Sequence, residues 1–363
     1  MTAHGYRMHD PFVTPRGLRF MLYSVLALLL APVVLELSGV LSDYDRYSEA
    51  PAAFFAYHAH VIANTSGDVD LLVLGSSTTL TGNDCVYLEE LLTQHLGRPA
   101  VVTCLGSNWR SEFIFYGILS DFFKRHTVKL VVLEEPREAV ADAEHSWTHY
   151  FWKPIEFGAL LQGLPVRYQL AHYAQSILGV PRHLLSLLRH NDGRGPQREL
   201  AAYIAYHGAP PRLLGFKSLL RPDTRQPFQK VDYPVPLIPA EHMIFRGAEH
   251  PVLKFKGRRF TDIQARGMQL MKDLTIAQGG HFALLNYSQP EQDKAPLRVR
   301  TYDPHAMGGY IPVIGVDPAE LYPGFSVDKI RTLWKNESHP NWNGARYNTR
   351  ALAPAFLDLY DHG

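Results

Sequence analysis

The chain has 363 residues, of which 46% are hydrophobic and 20% charged, the proportions of a folded globular protein rather than a disordered one. Lys plus Arg number 36 against 35 Asp plus Glu, a formal net charge of +1, which gives no support to a nucleic-acid partner, whose mark is a basic face. The length suits one large domain or one and a half. The only cysteines, Cys85 and Cys104, suggest by count and spacing neither a zinc site nor a disulfide framework.

Residues 1–19 carry Arg7, Arg16 and Arg19 and a single acid, Asp10. Phe20–Leu35 then runs without a charge, and extended to Leu41 across Glu36 the apolar segment is about long enough to cross a bilayer. Residues 20–41 are therefore expected to be a transmembrane anchor. Basic residues before it, with Asp43, Asp45 and Glu49 after it, put residues 1–19 in the cytoplasm and the main body outside. A cleaved signal peptide is the competing reading, but no A-x-A site follows the apolar run directly. Pro32 is tolerable in a membrane helix.

Residues 42–67 read as a juxtamembrane connector with a short helix around 52–64. The folded domain is expected over 68–363. It begins with strand 69–75, helix 84–96, strand 100–105, helix 111–126 and strand 128–134. This β-α-β-α-β order with short loops is the pattern of a doubly wound parallel sheet. Asn83 or Asp84 is placed to cap the first of these helices.

Beyond Pro136 the alternation stops. Residues 137–260 read as a mostly helical insertion over the carboxyl edge of the sheet, with helices at 154–161 and 167–190; an independent second domain is the alternative. Alternation resumes with helix 261–278, strand 281–287, a strand at 310–316, a short helix at 329–335, and a last helix at 344–360. In that last helix Ala351, Leu352, Phe356 and Leu359 share one face, so it is expected to pack on the sheet.

Chemistry is concentrated in two short stretches. In Asp70–Leu80 (DLLVLGSSTTL) an apolar run is stopped by Gly75 and followed by four hydroxyls, Ser76, Ser77, Thr78 and Thr79. Polar residues just past the carboxyl end of a parallel strand sit where open α/β sheets bind ligands, and a serine there becomes a nucleophile if a histidine reaches it. The distant stretch His339–Gly344 (HPNWNG) supplies such a histidine.

Together these stretches resemble the SGNH/GDSL hydrolase superfamily, a three-layer, flavodoxin-like α/β fold. The first block of that family ends a strand in Gly-Asp-Ser and its last is Asp-x-x-His-Pro before a final helix. Here they stand as Gly75-Ser76-Ser77 and Asn336-Glu337-Ser338-His339-Pro340. The resemblance implies Ser77 as nucleophile and His339 as base, with Asn336, or Glu337 beside it, orienting the imidazole in place of the family's Asp. It also implies an oxyanion hole from the Ser77 N–H and a second N–H in the loop after strand two, at Gly106 or, if the strict family Gly position falls there, at Trp109. Asn108 is the candidate stand-in for a third donor. The family's Asn after the third strand is absent, because this chain has Glu134-Glu135-Pro136-Arg137. Glu134, Glu135 and Trp109 are the candidate substrate-binding residues, with one of the two acids expected near the Ser77 cluster. No metal or cofactor is expected. Cys85 and Cys104 are expected as buried free thiols, a disulfide being conceivable in an oxidising compartment.

The match is closest to the membrane-tethered branch that includes the proteins of alginate O-acetylation and teichoic acid D-alanylation. It implies a periplasmic domain on a single-pass inner-membrane anchor, acting as an esterase or O-acyltransferase on a polysaccharide beside a multi-span membrane acyltransferase. The alternative is a non-catalytic assembly or carbohydrate-binding component of such a system.

Overall fold

A computed structural model describes residues 14–38, 58, 61–106, 112–135, 155, 158, 161–189, 232–245, 262–287, 311–335 and 339–363. Of the expected helix at 154–161, residues 155, 158 and 161 are described and each is helical. The rest of it and most of the connector at 42–67 lie outside the described residues, as do Asn108, Trp109, Arg137, Asn336 and Glu337.

The chain opens with helix α1 (Pro15–Ser38), which is long and apolar enough to cross a membrane. A six-stranded sheet follows, with strands β1 (Val69–Gly75), β2 (Val102–Gly106), β3 (Val128–Glu134), β4 (Ile244–Phe245), β5 (His281–Leu285) and β6 (Val313–Ile314), in the spatial order β2-β1-β3-β5-β6-β4. All pairings are parallel except β4 with β6. The sheet is therefore mixed and mostly parallel, a correction to the all-parallel expectation. The antiparallel edge strand comes from within 137–260, so that region is not only a helical insertion: one of its segments, 232–245, finishes the sheet.

β1 is buried along its whole length because both of its faces are covered. Leu72 and Leu74 point into one core with Leu133, Phe115, Ile118 and Met268. Leu71 and Val73, on the opposite phase of the strand, point into a second core with Leu88, Leu92, Leu352 and Phe356. This period-two division is what a strand sandwiched between helical layers requires. The first core belongs to α4 (Glu112–Phe123) and α6 (Asp262–Ala277), the second to α3 (Cys85–Leu96) and α9 (Trp342–His362). Further helices among the described residues include α2 (Ser77–Gly82), α5 (Val166–Arg189), α7 (Pro318–Leu321) and α8 (Val327–Arg331).

Asp84 caps α3 by accepting from the Tyr87 N–H at 3.1 Å. Its own N–H donates to Thr349 Oγ1 at 2.8 Å, which fixes α9 against the start of α3. At the amino end of β1, Asp70 accepts from Arg98 at 2.6 Å and from Tyr360 at 2.8 Å. Burial pushes the Asp70 carboxyl up, but hydrogen bonds from Arg98, the Val101 N–H and Tyr360, with the Arg98 charge, together hold it below its ordinary value. The far end of α9 is thus pinned to the sheet, leaving its first turn at the carboxyl edge.

Cys85 and Cys104 form a disulfide, with Cα atoms 6.5 Å apart. This corrects the free-thiol expectation. The reason is positional: Cys104, in the middle of β2, faces the second core, and Cys85 opens the helix that packs on that face.

Candidate active site

β1 has β2 on one side and β3 on the other. The chain leaves β1 in one direction and returns to it from the other, which makes the carboxyl end of β1 a topological switch point, the place where open α/β sheets bind ligands. Ser77 lies at this point, as the first residue of α2. The four hydroxyls in a row suggest a polar loop; the structure turns them at once into a short helix. Ser76 is the N-cap, its hydroxyl accepting from the Thr78 N–H at 3.3 Å.

The turn is held from below by Glu134, the last residue of β3. Its carboxylate is only 1% exposed. It accepts from the Ser76 N–H at 2.8 Å, the Ser76 hydroxyl at 2.7 Å and the Thr79 hydroxyl at 2.7 Å. The Thr79 N–H adds a longer bond at 3.3 Å. An ionised carboxylate is an acceptor only, and four donors converge on one of its oxygens. Gly75 is dictated by this arrangement: a Cβ there would overlap Thr79 Oγ1 and lie 2.6 Å from Glu134 Cβ. From the other side, the Asn83 amide donates to the Tyr287 hydroxyl, and a Cβ at Gly82 would meet the Tyr287 ring at 2.8 Å. The exit of β1 is clamped by side chains from β3 and from the end of β5.

His339 arrives from the other end of the chain. Its Nε2 lies 2.8 Å from Ser77 Oγ. The loop that carries it is tied down on both sides. The Lys335 N–H donates to the His339 carbonyl at 2.8 Å, and the Asn341 N–H to the Leu333 carbonyl at 2.9 Å. Asn341 also caps α9, accepting from the Gly344 N–H at 3.1 Å while its amide donates to the Thr332 carbonyl at 2.7 Å. At Gly344 the helix presses so closely on the loop that a Cβ would overlap the Leu333 carbonyl oxygen. Three positions of the HPNWNG stretch thus have distinct local roles. His339 supplies the ring, Asn341 the cap, and Gly344 the room for a close approach.

Of the expected oxyanion donors, the Ser77 N–H stands at the first position of a helix, where no acceptor exists within the helix itself. Gly106 ends β2 directly opposite Gly75 in the β1–β2 register, one strand away from the turn. Its carbonyl accepts from Nε2 of His58 at 2.8 Å. Burial drives the His58 ring down to about 4, the bond to Gly106 opposing this, so the ring is neutral at pH 7. His58 carries no signal in the sequence, being one of 18 histidines in a segment that reads as connector.

Glu134 and Glu135, the candidate substrate-binding acids, are both buried and hydrogen-bonded within the protein. Glu134 lies beneath the Ser76–Thr79 turn, and Glu135, 3% exposed, accepts from the Asn286 amide. One acid does lie at the Ser77 cluster as expected, but as its clamp. The sequence offers the acid and the hydroxyls as residue types, but their pairing depends on β3 lying beside β1.

Next to the His339 loop, a cleft is lined by Asp232, Tyr233, Trp342, Arg346 and Arg350. Arg350 pairs with Asp232 at 2.9 Å and Arg346 with Asp84 at 3.4 Å. Both guanidiniums lie over the Tyr87 ring. Among the described residues no group of three His, Cys, Asp or Glu is arranged to hold a metal ion. Comparison of the chain with protein-family models, with curated proteins and with solved structures finds no match.

Proposed function

We propose that this protein is a membrane-tethered serine acyl-ester enzyme of SGNH-like design, acting outside the cytoplasm on acyl groups carried by a polysaccharide. The observation that carries the reading is the 2.8 Å contact between Ser77 Oγ and His339 Nε2, made between residues 262 positions apart at the carboxyl edge of a mostly parallel sheet. A serine hydroxyl becomes a useful nucleophile when a base removes its proton as it attacks.

In the proposed reaction Ser77 Oγ attacks the ester carbonyl while its proton passes to His339 Nε2. The carbonyl oxygen becomes an oxyanion facing the N–H groups of Ser77 and Gly106. The ester C–O bond then breaks, the departing alkoxide takes the proton from His339, and the acyl group remains on Ser77. Water or a sugar hydroxyl completes the cycle: it attacks the acyl-serine, gives its proton to His339, and Ser77 Oγ recovers that proton as it leaves. With water the outcome is hydrolysis, with a sugar hydroxyl acyl transfer. The adjoining cleft suits a polyhydroxylated acceptor, since it offers aromatic rings beside guanidinium donors and a carboxylate acceptor.

Two features support the location. Arg7, Arg16 and Arg19, ahead of the charge-free run that begins at Phe20, favour a cytoplasmic N-terminus. The Cys85–Cys104 disulfide belongs to an oxidising compartment, where such bonds persist.

The test is fluorophosphonate labelling and p-nitrophenyl acetate turnover by the full chain in detergent. Ser77→Ala should abolish labelling, and His339→Ala should slow it by at least about 10²-fold, the usual worth of a general base, with circular dichroism unchanged. A wild-type protein that never labels, or a Ser77→Ala variant that labels as well as wild type, overturns the reading. The first result would turn attention to the non-catalytic assembly role.

A further inference from the structure

The location of α5 carries an inference beyond the active site. α5 packs against α1: the Tyr173 hydroxyl donates to the Leu29 carbonyl, and just before α5 the Ile155 N–H donates to Glu36 Oε2 at 2.8 Å. Along α1, residues Phe20–Leu30 are exposed throughout, whereas Ala31, Val33, Leu35 and Glu36 are half-covered and Pro32 is buried. The bare part is eleven residues long, about 16 Å at the rise of an α-helix. A hydrocarbon layer is about 30 Å thick. If α1 crosses a bilayer starting at Phe20, just after Arg19, the bare part supplies only about half the thickness. The layer must continue over the covered part, where α5 lies.

The outward surface of α5 fits that position. Val166, Leu170 and Leu178 are 66%, 65% and 61% exposed. With the exposed Ala174 they recur every four residues, so they form one apolar stripe along the helix. α5 contains Arg167, Arg182 and Arg189 and no acidic residue, the composition of a helix that settles among anionic headgroups. From Glu36 to Leu29 is about 10 Å along α1, which matches the depth at which an interfacial helix buries its apolar face, about 5–10 Å.

We propose that α5 is a second membrane-contacting element, seated in the outer leaflet against α1 with the Val166–Leu170–Leu178 stripe in lipid. The exposed stripe thereby becomes continuous with the lipid-facing surface of α1. The body of the protein is held at the membrane by two helices rather than swinging on one. This rests on the membrane-crossing reading of α1 and not on the acyl chemistry.

The test uses the full chain in vesicles of phosphatidylethanolamine and phosphatidylglycerol. A fluorophore sensitive to polarity is attached through Leu170→Cys or Leu178→Cys, the native cysteines being paired with each other. Leu26→Cys serves as the reference in α1 and Ile276→Cys, on α6, as the aqueous reference. Labels at positions 170 and 178 should be blue-shifted and quenched at least about two-fold more by lipids spin-labelled near the headgroup than the label at 276, with the label at 26 quenched best by lipids labelled deep in the chain. Quenching at 26 with aqueous behaviour at 170 and 178 would overturn the proposal. Loss of quenching at 26 would overturn it together with the span, whereas failure of ester turnover would leave all four labels as expected.

Discussion

Glu134 offers the sharpest test of how the Ser77 turn is held. Four donors meet its carboxylate, the N–H groups and the hydroxyls of Ser76 and Thr79, and bonds to a charged acceptor contribute about 1.5–3 kcal/mol each. Their sum overstates the effect. Holding a carboxylate away from water costs several kcal/mol, and the two hydroxyls can rotate to other acceptors. The N–H groups of Ser76 and Thr79 cannot rotate, and an N–H left buried without a partner costs about 1–3 kcal/mol. Glu134→Ala should therefore lower stability by about 3 kcal/mol, while Glu134→Gln, which keeps one carbonyl oxygen for the Ser76 N–H, should lower it by about 1 kcal/mol. Urea unfolding of the full chain in detergent at pH 7, followed by tryptophan fluorescence, gives the two values. The same samples report the rate of fluorophosphonate labelling, which should fall more for the Ala variant because Ser77 follows directly on Ser76. Equal losses for the two variants, or an Ala variant within about 0.5 kcal/mol of wild type, the range of an ordinary surface change, would refute the clamp.

Three further outcomes are expected. Replacing Cys85 and Cys104 together by serine removes a cross-link spanning 19 residues and should destabilise by about 3 kcal/mol; an unchanged urea midpoint would contradict the bond. His58 has a folded pKa of about 4 against an ordinary value of 6.5, so the unfolded chain binds the proton first as pH falls. Its contribution is intact above about pH 6.5 and is lost progressively down to about pH 4, by up to about 3 kcal/mol. His58→Gln, which retains a donor for Gly106, should flatten that window in unfolding curves collected across it, and an identical slope in the two proteins would be the adverse result. Gly344→Ala should cost about 1–3 kcal/mol through overpacking against the Leu333 carbonyl and should slow labelling at Ser77 by displacing the His339 loop. Wild-type labelling in a folded variant would show that the loop and α9 move independently.

The sequence was sufficient wherever a local signal governed the outcome. The run Leu71–Leu74 before Gly75 marked β1, Asp84 marked the start of α3, and Val128–Glu134 marked β3, because buried parallel strands and helix caps are specified by their own residues. Ser77 and His339 were legible as candidates from residue type and position. Smaller elements escaped: α2 is one short turn built from hydroxyl residues that read equally as loop, and β4 is two residues long, formed only because β6 offers an edge to pair with.

What the sequence by itself determined was the alternation of strands and helices, the apolar N-terminal helix, and the two stretches that hold the candidate residues Ser77 and His339. Tertiary structure alone decided the contact between Ser77 and His339, since nothing local relates residues 262 positions apart. It also decided that Glu134 faces inward to four donors of the Ser76–Thr79 turn, and that Cys85 and Cys104 lie close enough to bond. The physical reason is common to all three. Each depends on which strand lies beside which, and neighbours in a sheet are chosen by the packing of the whole chain rather than by the residues on either side of a position.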